Sequence, residues 1–87
     1  MSKLADFKIG NVTHFYDKIG VAIVELDADL GVGDHVKFSR GGEELFEQEV
    51  KSMQIEHEKV EKADKGDVIG LKTESEVKEG AEIYKVQ

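Results

Sequence analysis

Three histidines, His14, His35 and His57, are the side chains best suited to chemistry in this 87-residue sequence. Imidazole titrates near neutral pH and binds metals, so a cluster of histidines would predict acid–base or metal chemistry. The three lie in separate segments, without an i, i+4 pair or an HExxH motif. The pattern therefore favours surface histidines and predicts no metal site. The run Glu56-His57-Glu58 is either a charge-coupled site or a solvated loop.

Candidate nucleophiles give no stronger signal. The sequence has no cysteine, and its serines Ser39, Ser52 and Ser75 stand in no nucleophile-elbow context. No motif of the G-x-x-x-x-G-K-[ST] type occurs, so this chain is predicted not to bind GTP. We therefore expect a protein that is not an enzyme, with no catalytic residues and no cofactor.

The adjacent aromatics Phe15 and Tyr16 end an apolar-alternating run beside a loop. Exposed aromatic rings in small β-domains can stack on nucleic-acid bases, but the pattern favours packing in the core or at its rim. The lysines are scattered among acids, which disfavours a groove that tracks phosphates. The acidic run 43–49 indicates a solvated face or a contact for a basic partner.

Composition predicts one small acidic domain. There are 19 acidic against 12 basic side chains, for a net charge of −7, and 39% of the residues are hydrophobic. The prediction is a single domain over residues 1–87 with a flexible tail at 1–6. The start of the sequence has no apolar signal region, and no apolar run is long enough to span a membrane. Together with the absence of cysteine, these features lead us to expect a cytoplasmic protein.

Glycine-containing turns at 31–34, 65–67 and 78–80 each precede a short run of alternating apolar residues. Glycine tolerates the positive φ angles of tight turns, and an aspartate beside it can bond back to the turn backbone. This spacing is typical of a compact all-β unit. Six strands are predicted, at 7–16, 21–26, 35–39, 44–54, 68–73 and 81–86.

Two segments need further comment. In the second strand Ala22, Val24 and Leu26 share one face, while Val21 and Ile23 share the other. In the fourth strand, burial of both Val50 and Met53 would require a bend between them. Residues 44–64 also fit a single helix in part, because glutamate, lysine and glutamine favour helices. The pattern alone leaves both open, and the family resemblance described next implies a strand followed by a loop with at most one helical turn.

Four segments together resemble the second domain of translational GTPases such as elongation factor Tu, the selenocysteine-specific factor and initiation factor two. They are residues 20–24 (GVAIV), 32–38 (VGDHVKF), 50–54 (VKSMQ) and 60–71 (VEKADKGDVIGL). The segments 12–16 (VTHFY) and 77–86 (VKEGAEIYKV) are similar to stand-alone translation elongation factor-like proteins and to the C-terminal barrel of U32 family peptidases. The resemblance implies a small closed antiparallel β-barrel of about six strands, of the reductase/elongation-factor type.

The translational GTPases use this domain to hold the aminoacylated end of tRNA, with a glutamate and an arginine in the loop after the "VKSMQ" strand. Gln54 and His57 occupy those positions here, and Glu56 lies between them. The resemblance therefore implies a binding site at Gln54 and His57, flanked by the acids Glu56 and Glu58. The aromatic pair Phe15 and Tyr16, singled out above from the sequence pattern, is expected to lie next to it. Its expected partner is a protein or a tRNA or ribosome component.

Three functions follow, of which the first is the leading interpretation and the other two are alternatives. The first is a non-catalytic, translation-factor-like binding module for a protein or an RNA end. The second is an accessory or substrate-docking domain of a U32-type peptidase system, supplied as a separate chain. The third is a structural or oligomerising domain.

Overall fold

The computed structural model describes residues 7–86, and the tail predicted at 1–6 lies outside this range. Ten β-strands and no helix are present in the described residues, so none of their segments is a helix that could cross a membrane. The strands are β1 (Phe7–Tyr16), β2 (Val21–Leu26), β3 (Leu30–Gly31), β4 (His35–Arg40), β5 (Glu43–Glu49), β6 (Met53–Ile55), β7 (Glu58–Val60), β8 (Lys62–Ala63), β9 (Val68–Lys72) and β10 (Glu82–Lys85).

Eight strands form one antiparallel sheet in the order β5-β4-β10-β1-β2-β9-β6-β7, and β3 pairs with β8 separately. The prediction of a small, all-β antiparallel domain is confirmed. The six predicted strands are present, although the run 44–54 is divided between β5 and β6. The short strands β3, β7 and β8 were not predicted.

One bent segment, residues 43–55, pairs with strands at both sides of the sheet order. At Val50 the chain still follows β4, because the Val50 N–H donates to the Asp34 carbonyl at 2.8 Å. Two residues later the Ser52 carbonyl accepts from the Lys72 N–H at 3.4 Å, next to the β6–β9 ladder. Residues 43–55 therefore change partners from β4 to β9. The described ladder is not continuous around a barrel, and this segment carries the chain from β5 at one end of the order to β6 near the other.

The core contains the inward-facing residues of these strands. Val36 and Phe38 of β4, Ile69 and Leu71 of β9, and Ile83 of β10 are buried as predicted. Burying a side chain of this size contributes roughly 1.5–3 kcal/mol before the entropy cost of ordering it. The remaining buried apolar residues are Ile9, Val12, Ala22, Val24, Leu26, Leu30, Val50, Met53, Ala63, Val77 and Ala81.

Two irregularities shape the strands, and the second, between Val50 and Met53, confirms its prediction. The pairing of β1 with β10 shifts register between Lys8 and Gly10. A Cβ at Gly10 would lie 2.5 Å from the Glu25 carbonyl oxygen, so the close approach of β2 requires glycine there. Val50 and Met53 are both buried, and residues 50–52 form the bend between β5 and β6.

The segment 55–64 differs from its prediction of a loop with at most one helical turn. It contains the β6–β7 hairpin, in which Ile55 pairs with Glu58 across the two-residue turn Glu56-His57. Both turn residues have positive φ, 52° and 69°. Such a turn has the twist that a two-residue hairpin needs, but it is normally made by asparagine and glycine. Propensity alone could not indicate this hairpin.

Candidate binding groove

A groove of about 780 Å³ lies on the outer face of β2, β9 and β6. Its floor lies where three strands are in register: Ile23 of β2 pairs with Gly70 of β9, and Gly70 pairs with Gln54 of β6. Gly70 has no side chain to fill the space between its neighbours. A side chain at position 70 would enter the groove, so glycine adds depth to its middle.

Apolar side chains line much of the groove. Tyr16, at the end of β1, and Ile19, in the β1–β2 loop, are 48% and 57% exposed. Val68, at the start of β9, is 51% exposed, and Val21 and Ile23 of β2 are half-buried. Isolated apolar residues on a surface are ordinary, but a contiguous apolar concavity is typical of a binding site.

Polar groups of the groove come from the β6–β7 hairpin and from the turn before β9. Gln54, Glu56 and His57 are exposed, and their side chains make no hydrogen bond or ion pair within residues 7–86. Asp67 lines the opposite end, where its Oδ2 accepts from the Asp64 N–H at 2.8 Å. The three hairpin side chains are thus available to a ligand.

Four of the five predicted binding residues line this groove: Tyr16, Gln54, Glu56 and His57. Phe15 does not, because consecutive residues of a strand point to opposite faces. It packs against the core and borders a separate polar depression with Asp17 and Thr73. The structure shows where these residues lie, and a binding role for them remains a prediction.

The apolar lining was not predicted as a site. Val21 and Ile23 carried the available signal, because they give β2 a second apolar face besides that of Ala22, Val24 and Leu26. A strand that is apolar on both faces is either covered on both or exposes one. Gly70 gave a second signal, since glycine within a strand often marks close approach of another molecule.

The other two histidines lie on the surface and bond to glutamates. His14 Nδ1 is 2.8 Å from Glu79 Oε2, and His35 Nε2 is 3.0 Å from Glu47 Oε1. Among residues 7–86, no group of three His, Asp or Glu side chains is arranged to hold a metal ion. No serine hydroxyl there bonds to a histidine ring. Each surface histidine thus forms a local cross-strand or strand–loop pair.

Outside the groove, the side chain of Tyr84 has a raised pKa. The Tyr84 hydroxyl donates to Glu82 Oε1 at 3.0 Å. This hydrogen bond, with smaller effects of desolvation and of the Glu82 charge, raises the pKa of Tyr84 above its usual value of 10.0. Tyr84 belongs to β10 and does not line the groove. Its pKa therefore reports on the folded contact with Glu82 and not on ligand binding.

Comparison with known proteins supports one of the two resemblances. No protein-family model matches the chain. It is 42% identical over 83 residues, 95% of its length, to part of an uncharacterized protease of Methanocaldococcus jannaschii. The matched part is 20% of that protease, so the chain spans about a fifth of its relative.

Comparison with solved structures supports the same resemblance. The chain is similar to two crystal structures of the C-terminal domain of a U32 peptidase from Geobacillus thermoleovorans. One superimposes with a TM-score of 0.84 at 20% identity, covering 94% of this chain and 93% of that domain. The selenomethionine variant gives 0.80 at 19% identity, covering 87% and 95%. At this identity the likeness establishes the fold alone. The resemblance to translational GTPases is not shown by these comparisons.

Proposed function

We propose that this chain is a non-catalytic accessory domain that acts in a U32-type peptidase system. The observation that carries the proposal is the 42% identity over 83 residues to part of a protein named as a protease. The fold shared with a U32 peptidase C-terminal domain supports it. Such a domain would bind another part of the system, either the peptidase or its substrate.

A non-catalytic role agrees with the chemistry of the described surface. Nucleophilic catalysis needs a nucleophile beside a base that a third group orients. The sequence has no cysteine, and in residues 7–86 the ring of His57 has no bonded partner. A cytoplasmic location belongs to the same proposal and is supported by the absence of cysteine.

Binding of an RNA end has less support. A site for a phosphodiester chain normally presents lysine or arginine. The groove that contains Gln54, Glu56 and His57 is lined by two carboxylates and by no lysine or arginine. The position where the translational GTPases have an arginine holds His57. We therefore favour a polypeptide partner.

The test uses the relative from M. jannaschii. Isothermal calorimetry would compare this chain binding to the whole protease and to a form that lacks the matched 83-residue region. We expect binding to the shortened protein and little binding to the whole one, whose own domain occupies the docking position. Circular dichroism would verify that the shortened protein is folded. Absence of binding to a folded shortened protein would overturn the proposal.

A further inference from the structure

Three departures from local structural rules meet at the groove. Gly70 stands within a strand although it is not among the glycines with positive φ, so the backbone conformation does not require glycine. Glu56 and His57 have positive φ, which costs free energy for residues with a side chain. Tyr16, Ile19 and Val68 expose apolar surface side by side. Folded proteins retain such departures mainly where function needs them.

Gly70 explains the shape of the groove. A Cβ added there would lie 3.3 Å from Val21 Cγ1 and 3.9 Å from Ile23 Cδ1. Val21 thus approaches Gly70 more closely than a larger residue would allow, and the partly exposed glycine backbone lines the groove. An apolar side chain of a partner could rest on this floor, between the β2 wall and the β6–β7 hairpin.

The charges around this floor favour a cationic partner. Glu56 and Asp67 line the groove, and the exposed Glu25 pairs with Val68 at its edge. Lys72 and Lys59 lie beside the groove without lining it, and the Lys72 ammonium already donates to the Ile19 carbonyl at 2.7 Å. The whole chain carries a net charge of −7. An acidic partner would be repelled.

We propose that the groove binds a polypeptide segment in which an apolar side chain is flanked by lysine or arginine. The apolar side chain covers Gly70 between Ile23 and Val68, and a flanking cation pairs with Glu56. The polypeptide nature of the ligand rests on the proposed accessory function. The apolar and cationic character of the ligand rests on the groove itself.

Heteronuclear NMR on the ¹⁵N-labelled chain tests this inference. The probe is a capped hexapeptide that alternates lysine with leucine, and the control peptide has glutamate in place of lysine. We expect saturable shifts of amides in 16–23, 54–57 and 66–70 with the basic peptide only. Shifts located elsewhere, or equal shifts with the acidic peptide, would contradict the inference.

Substitutions identify the contacts. Gly70→Val fills the floor and should weaken the basic peptide about tenfold or more. Ile19→Ser, in an exposed loop, should weaken it several-fold without affecting the fold. The matched control is Leu45→Ser on β5, which changes an equally aliphatic residue of 40% exposure outside the groove. Unchanged affinity in Ile19→Ser would overturn the inference.

A charge substitution tests the rim. Glu56→Gln should weaken the basic peptide about threefold and reduce the dependence of its affinity on salt. Glu43→Gln on β5 is the control and should change neither. Sedimentation up to millimolar protein, and titration with tRNA, test other occupants. Self-association that Ile19→Ser abolishes would show that a second copy of this chain covers the groove, and tRNA binding that it abolishes would show a nucleic-acid ligand. Either result would overturn the inference.

The outcome distinguishes this inference from the proposed accessory function. Peptidase binding that is unaffected by Gly70→Val and Ile19→Ser would reject the groove and keep the accessory role. Peptide binding at the groove, with no binding to the shortened protease, would reject the accessory role and keep the groove.

Discussion

Gln48 joins β5 to the end of β9 by a bond from its buried side chain to the backbone of Lys72. Its Nε2 donates to the Lys72 carbonyl at 2.9 Å, and its Oε1 accepts from the Glu74 N–H at 2.8 Å. The Gln48 side chain can span this distance because the bent segment 43–55 passes from β4 to β9. The amide thus replaces one backbone pair of the ladder.

Replacing Gln48 should destabilise the fold. In Gln48→Leu the Lys72 carbonyl and the Glu74 N–H lose their partner, and the loss of these partly buried hydrogen bonds should cost about 1 kcal/mol. Urea unfolding followed by circular dichroism would measure the change in free energy. Gln54→Leu is the matched control, because the exposed Gln54 amide has no partner in residues 7–86. Its change should stay within about 0.5 kcal/mol. Equal effects of both substitutions would contradict the bridging role.

Two turns of similar form show why only part of the fold could be predicted. The turn Gly41-Gly42 joins β4 to β5 and has φ of 61° and 86°, and its two glycines predict a hairpin directly. The turn Glu56-His57 joins β6 to β7 with similar φ angles. Glutamate and histidine carry no such signal. Sequence pattern therefore located one hairpin and missed the other.

The core could be predicted because buried and exposed residues alternate along a strand that has one face in the core. Phe38 and Leu71 follow that period and are buried as expected. The groove could not be predicted as one site, because Tyr16, Gln54 and Gly70 meet only through the register of β1, β2, β9 and β6. The pair of aromatics indicated Tyr16 and the resemblance indicated the hairpin residues, but neither indicated Ile19, Ile23 or Val68.

The glycines of two turns test the turn geometry. Gly33 and Gly66 have φ of 99° and 93°, and a Cβ at either would meet no atom within 4 Å. Any cost of substitution there comes from the backbone conformation. Gly33→Val and Gly66→Val should each lower the free energy of unfolding by about 1 kcal/mol or more.

The control for these glycines is chemical synthesis with D-alanine at position 33. A D-residue adopts positive φ without strain and also restricts the unfolded chain. The melting temperature should then equal or exceed that of the natural chain. A loss as large as that of Gly33→Val would show that space, and not backbone conformation, requires glycine.

Tyr84 predicts a pH dependence at alkaline pH. Its pKa is raised in the folded state, so the native chain keeps the phenolic proton when the unfolded chain has lost it. The contribution to stability is complete below pH 10 and disappears as the pH rises through the folded-state pKa.

Tyr16→Phe leaves Tyr84 as the single tyrosine for absorbance titration. Adding Glu82→Gln should lower the measured pKa, whereas Glu49→Gln should leave it unchanged. An unchanged pKa in Glu82→Gln would exclude Glu82 as the cause.

The strain of the Glu56-His57 turn can be measured by exchanging residues between the two hairpins. His57→Gly should stabilise the chain by about 0.5–1 kcal/mol, because glycine adopts positive φ without strain and this gain exceeds the entropy it adds to the unfolded state. Gly42→His places histidine at the equivalent position of the β4–β5 turn, where a Cβ meets no atom within 4 Å, and should cost a similar amount. Thermal unfolding of both variants would measure the two changes in stability.

Stabilisation by His57→Gly together with weaker binding of the basic peptide would mean that the turn lowers the stability of the chain but contributes to binding. If His57→Gly instead destabilises the chain, the imidazole has a structural role that its exposed position does not indicate, and the strain argument for the groove fails.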